Sequence, residues 1–169
     1  MSHAANKVDW CLKKAEKEMR DFGAHRGLVK AKPDPDKALD HISKAEHYLR
    51  ATEYLRKGGF SDISASTAFY CMYHCLLAIA SRHGYESRNQ ECTFALVRSL
   101  IEENKIGLTK EMLDKISSID VSKQEELTTV HLRELYQYGT QLSMEDATYS
   151  RILTLAKEVL DSTRPIARQ

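Results

Sequence analysis

Proline, glycine and charge excess are all scarce in this chain. Three prolines and seven glycines in 169 residues, with no stretch that alternates apolar and polar side chains, argue against a β fold. No apolar run approaches the length needed to cross a bilayer. Residues 1–7 lack the hydrophobic core of a signal peptide. These absences predict a cytoplasmic protein with no membrane partner. Lysine and arginine total 25 against 24 acidic residues, a net charge of +1. That removes any bulk electrostatic case for nucleic acid and leaves room only for a local basic patch. The four cysteines are irregularly spaced with no Cys-x-x-Cys pair. In a reducing compartment they read as free thiols, Cys71, Cys75 and Cys92 among them, in a protein without metal or cofactor.

What the sequence does have is helical periodicity. Residues 61–84 open with a helix-start signal at Ser61-Asp62, close on Gly84, and hold no glycine or proline between. Ala65, Ala68, Met72, Leu76 and Ile79 recur at the spacing of one helical face. A second row, Phe69, Tyr73, Leu77 and Ala80, widens the apolar surface beyond what a surface helix carries. This predicts a central helix with others packed on two sides.

The remaining stretches fit around it. Val8, Leu12, Ala15, Met19 and Phe22 form an amphipathic helix ending near Gly23. Its Lys13, Lys14, Lys17 and Arg20 are offset by Glu16, Glu18 and Asp21, which reads as a salt-bridged solvent face. Residues 23–36 read as a linker. Asp34-Pro35 is an N-cap followed by a first helical residue. The stripe Ala38, Ile42, Ala45, Leu49, Thr52, Leu55 runs from there to Gly58-Gly59. So short a turn predicts an antiparallel pair with the central helix. After a polar loop at 85–89, helices are expected around Phe94, Val97, Leu100 and Ile101, after a cap at Thr109, and from about Ser122 to Gly139. A capping box at Ser143 and Asp146 opens a last helix that stops before Pro165. The expectation is an all-α, up-and-down antiparallel bundle over residues 37–163, with an extra N-terminal helix and linker (1–36) and a short tail (164–169).

The segment Ala68-Phe69-Tyr70-Cys71-Met72-Tyr73-His74-Cys75-Leu76-Leu77 resembles the aromatic-rich second core helix of HEPN domains, small helical bundles of prokaryotes. The flanking Ala45-Glu46-His47-Tyr48-Leu49-Arg50, the Gly-Gly-Phe turn and the run from Leu132-Arg133 to Tyr138-Gly139 fit the same pattern. The resemblance spans roughly residues 38–162. It implies a homodimer, a toxin-antitoxin or nucleotide-related role, and a minimal nucleotidyltransferase as partner.

Active HEPN ribonucleases use an arginine followed four to six residues later by a histidine. Such a pair suits metal-free RNA cleavage, with histidine moving protons and arginine holding phosphate. At the matching position Arg133 is present, but Tyr138 stands where the histidine belongs. A phenol titrates near pH 10, so it is a poor general base at neutrality. The resemblance therefore implies a non-catalytic or weakly active member that binds a nucleotidyltransferase, a nucleotide or RNA. Its rivals are a metal-independent ribonuclease toxin using other residues and a purely structural interaction bundle. Arg82, Arg88 and Asn89 form a further basic, hydrogen-bonding corner ahead of a helix N-terminus, where exposed amides suit an anion. Against it stands a solvated inter-helix loop. Cys71, His74 and Cys75 have the spacing to reach one zinc ion, but small thiols on a wide apolar face are ordinary core residues. His74 then makes a buried hydrogen bond to a hydroxyl or carbonyl.

Overall fold

Seven helices and two three-residue strands make up residues 1–117 and 127–169, which the computed structural model describes. In chain order they are α1 (His3–Phe22), β1 (Leu28–Lys30), α2 (Pro35–Lys57), α3 (Ser61–Arg82), β2 (Tyr85–Ser87), α4 (Gln90–Glu102), α5 (Lys110–Ile116), α6 (Thr129–Tyr138) and α7 (Asp146–Arg168).

The core is built on α3, which packs against α2, α4, α6 and α7. Its first row, Ala65, Ala68, Met72, Leu76 and Ile79, is wholly buried, and Phe69 and Ala80 of the second row nearly so. By length and composition the 22-residue α3 is apolar enough to cross a membrane, with mean hydropathy 1.4 over an 18-residue window. This corrects the expectation that no run is. Most of that window is buried inside the bundle, as the core helix of a protein requires.

Helix α2 starts where its cap signal lies. The Lys37 N–H donates to Asp34 Oδ1 at 2.9 Å, and Pro35 occupies the first turn, where its missing N–H costs nothing. Gly59, with φ of +83°, makes the reversal into α3. The two helices run antiparallel: Thr52 meets Thr67, Tyr48 stacks on Tyr70, His41 meets His74, and the Asp34 N–H donates to the Ser81 carbonyl.

The N-terminal region departs from the expected linker. β1 pairs antiparallel with β2, Val29 opposite Glu86. Three-residue strands are too short to show period-two patterning, so both were hidden in polar segments. Helix α1 buries Ala4, Val8, Cys11 and Ala15 and packs on α4, while Met19 and Phe22 at its end stay exposed. Cys11 and Cys92 form a disulfide between these helices, with Cα atoms 6.0 Å apart. Cys92 is therefore not a free thiol. An 81-residue separation carries no local signature, and only the packing of α1 on α4 brings the pair together.

Two further boundaries differ. Helix α7 is not opened by Ser143: its N-cap is Glu145, without a side-chain cap bond. The hydroxyl of Ser61 instead accepts the Met144 N–H at 2.9 Å, tying the α6–α7 connection to the start of α3. Helix α7 also runs through Pro165 to Arg168. A proline there removes one backbone hydrogen bond, but burial of Ile166 and Ala167 in the next turn offsets the loss. Helix α6 begins at Thr129 under a Thr128 cap, so Leu127 lies outside it. The expected start near Ser122 falls outside the described residues.

Candidate functional site

The short helix α6 positions Arg133. The Thr128 hydroxyl accepts the His131 N–H at 3.3 Å, and the same oxygen meets His131 Nδ1 at 2.9 Å. Buried Thr129 and Leu132 press the helix onto the bundle. Arg133 is consequently turned inward, its side chain only 15% exposed. Its guanidinium carbon lies 4.4 Å from the centroid of the Phe69 ring, a cation–π contact on the buried centre of α3. Arg133 Nη1 donates to Gln90 Oε1 at 3.3 Å, and Nη2 lies 3.6 Å from the Glu134 carboxylate. Its Nε is buried without a hydrogen-bond partner among the described residues. A buried, unpaired donor on a charged group costs free energy.

Tyr138 does not join Arg133. Five residues on a helix place the two side chains about 140° apart. Tyr138 is 78% exposed at the end of α6. His131, the nearest histidine in sequence, is committed to the Thr128 cap. The arginine of the motif is thus built in without the family histidine, with the Glu134 carboxylate 3.6 Å away. An arginine and a histidine five residues apart also occur at Arg20 and His25, in the N-terminal region outside the family position, where His25 is buried.

The basic corner divides. Asn89 is the N-cap of α4, its Oδ1 accepting the Cys92 N–H at 3.0 Å. The next residue, Gln90, is the one that holds Arg133. Asn89 and Arg133 are therefore brought to one place through α4. Arg88 is exposed and pairs with Glu86 at 3.0 Å. Arg82 sits at the far end of α3 with a buried, unpartnered Nε. Neither Gln90, part of the polar corner at the start of α4, nor Phe69 is tied to Arg133 by any sequence signal. Phe69 stood among core residues, and a glutamine opening a helix has no motif.

The histidine and thiols of α3 separate onto different sides. Cys71 and Cys75 are fully buried, and burial pushes the Cys75 thiol well above its ordinary range, aided by the Cys71 contact. His74 faces α2, where its Nδ1 lies 3.0 Å from His41 Nδ1 and its ring stacks on Tyr48. Its partner is therefore another imidazole, not the hydroxyl or carbonyl expected. Among the described residues no three histidine, cysteine or acidic groups converge as metal ligands.

A cavity of about 430 Å³ opens between α1 and α4. His3 and Lys7 come from α1, and Gln90, Phe94 and Arg98 from α4. Arg98 is buried and paired with Asp114 at 2.6 Å. Gln90 lies in both the cavity wall and the Arg133 contact.

Among known proteins, a family model described as HEPN domain matches residues 38–165. No curated protein matches the sequence.

Proposed function

The chain belongs to the HEPN domain family, and from that premise we propose that it binds RNA or a nucleotide at Arg133 as a non-catalytic or weakly active member. One observation carries this reading. Arg133 is held by Phe69 and Gln90 with a buried donor left open, while the position of the family histidine is an exposed tyrosine facing elsewhere. Phosphate binding needs the first and acid–base cleavage needs both. For partners, the reading includes a second copy of the chain and a minimal nucleotidyltransferase, in a cytoplasmic toxin-antitoxin-like pair. The exposed apolar side chains Phe60, Ile63, Tyr138 and Leu142 near the start of α3 and the end of α6 support association. Titration of single-stranded RNA and of nucleoside triphosphates tests the site. Arg133→Ala should weaken binding by roughly tenfold or more, the worth of a charge-assisted hydrogen bond. Unchanged affinity in that variant would refute the assignment.

A further inference from the structure

Helix α1 lies outside the family match, yet it forms one wall of the cavity that Gln90, the hydrogen-bond partner of Arg133, also lines. His3, Lys7, Trp10, Lys14 and Lys17 follow one another on it at spacings of four, three, four and three residues. They share one face. The sequence reading made the lysines of this helix a salt-bridged surface. The structure does not bear that out: among the described residues no carboxylate pairs with Lys13, Lys14, Lys17 or Arg20, and Glu18 accepts the Arg26 backbone N–H instead.

In the middle of the stripe stands Trp10, the one tryptophan in the chain, 51% exposed. Two ammonium groups approach its ring, Lys7 Nζ at 4.4 Å and Lys14 Nζ at 5.1 Å from the centroid. An exposed indole flanked by lysines offers a π-face for a base and cations for the phosphates on either side. The stripe is also continuous with the site. Lys7 lines the cavity, Gln90 lines it from the opposite wall, and Gln90 holds Arg133. Among the described residues Glu91 is the one carboxylate lining the cavity. It pairs with Lys7 at 3.3 Å but is 78% exposed, so an incoming phosphate exchanges with it at little cost.

We infer that this face of α1 is the outer end of a single-stranded RNA track that leads through the cavity to Arg133. The inference rests on the RNA-binding reading of Arg133 and names its substrate class. A duplex hides its base faces, whereas Trp10 needs an unpaired base to stack on. An acidic protein would satisfy the lysines but leave the indole without a partner. A membrane surface needs a broad apolar helix face, and the apolar face of α1, Ala4, Val8, Cys11 and Ala15, is already buried.

Because Trp10 is the sole tryptophan, its fluorescence reports on α1 alone. The probe is an unstructured oligouridylate of about ten nucleotides, within the length one such binding surface spans. Binding to the full chain is followed by tryptophan quenching and, with an end label, by anisotropy. Quenching should parallel binding. Trp10→Ala should weaken affinity by roughly five- to 150-fold, the range for one lost stacked base, with Trp10→Phe retaining most of it. Lys14→Glu should weaken affinity and flatten its salt dependence. Wild-type affinity in Trp10→Ala and Lys14→Glu, with binding lost in Arg133→Ala, would overturn the track and leave the Arg133 reading standing. No binding by the wild type would sink both. A tryptophan response to phosphatidylserine vesicles but not to RNA would assign the stripe to a membrane and overturn the inference.

Discussion

Acidification should destabilise the fold through the facing histidines of α2 and α3. His41 Nδ1 and His74 Nδ1 are 3.0 Å apart, so one must donate and the other accept. Protonating the acceptor turns its Nδ1 into a donor, so that two N–H groups face each other, the hydrogen bond is lost and a charge is left partly buried. Burial, with smaller contributions from His41 and Lys44, lowers the His74 pKa from an ordinary 6.5 to about 4. Burial also lowers His41, with Lys37 adding to the effect and Asp40 opposing it. The folded state therefore refuses a proton that the unfolded chain accepts below its ordinary imidazole pKa. The stability is complete above about pH 6.5, is lost as the pH falls toward 4, and changes no further below that on account of His74. The full linkage value of the displacement is about 3.4 kcal/mol. The ring is half-exposed, and solvent screening reduces this to about 1–2 kcal/mol. Urea unfolding followed by circular dichroism across that range measures the slope. His74→Gln should flatten it. An equal acid slope in wild type and His74→Gln would refute the reasoning.

Two other perturbations test the fold. Removing the Cys11–Cys92 bond with reductant, or with Cys11→Ser, should cost about 2–4 kcal/mol, because the bond closes a loop of 81 residues in the unfolded chain. Thiol counting on the denatured, unreduced protein should find two free thiols, Cys71 and Cys75, rather than four. Met72→Ala, at a fully buried position on the central helix, should cost about 2–5 kcal/mol in denaturant unfolding.

The helices were readable because each carries its own local signal. Asp34-Pro35 caps α2 and Thr109 caps α5, where its hydroxyl accepts the Met112 N–H at 3.1 Å. The first row on α3 repeats at helical spacing and ends up buried. What was hidden depended on distant partners. Ser143 looks like a cap, but Met144 is drawn to Ser61 and α7 starts later. Pro165 reads as a stop, but the turn after it buries Ile166 and Ala167. Cys11 and Cys92 have no spacing rule that pairs them. At the site, Arg133 was legible through the family pattern. Its support was not, since Phe69 looks like any core aromatic and Gln90 reaches Arg133 across 43 residues. The Trp10 stripe was masked by nearby acidic residues that in the fold make no pairs with its lysines.

The central claim is that Arg133 holds RNA without the family histidine to cleave it. End-labelled single-stranded RNA, incubated without divalent metal with wild type, Arg133→Ala and Tyr138→His, reads both halves at once. Positioned acid–base catalysis contributes about 10²–10⁴-fold, and its loss leaves little above background. The expected result is RNA bound but intact with wild type, binding weakened in Arg133→Ala, and at most a modest gain of cleavage in Tyr138→His. Robust cleavage by the wild type, abolished in Arg133→Ala, would contradict the account and establish a ribonuclease.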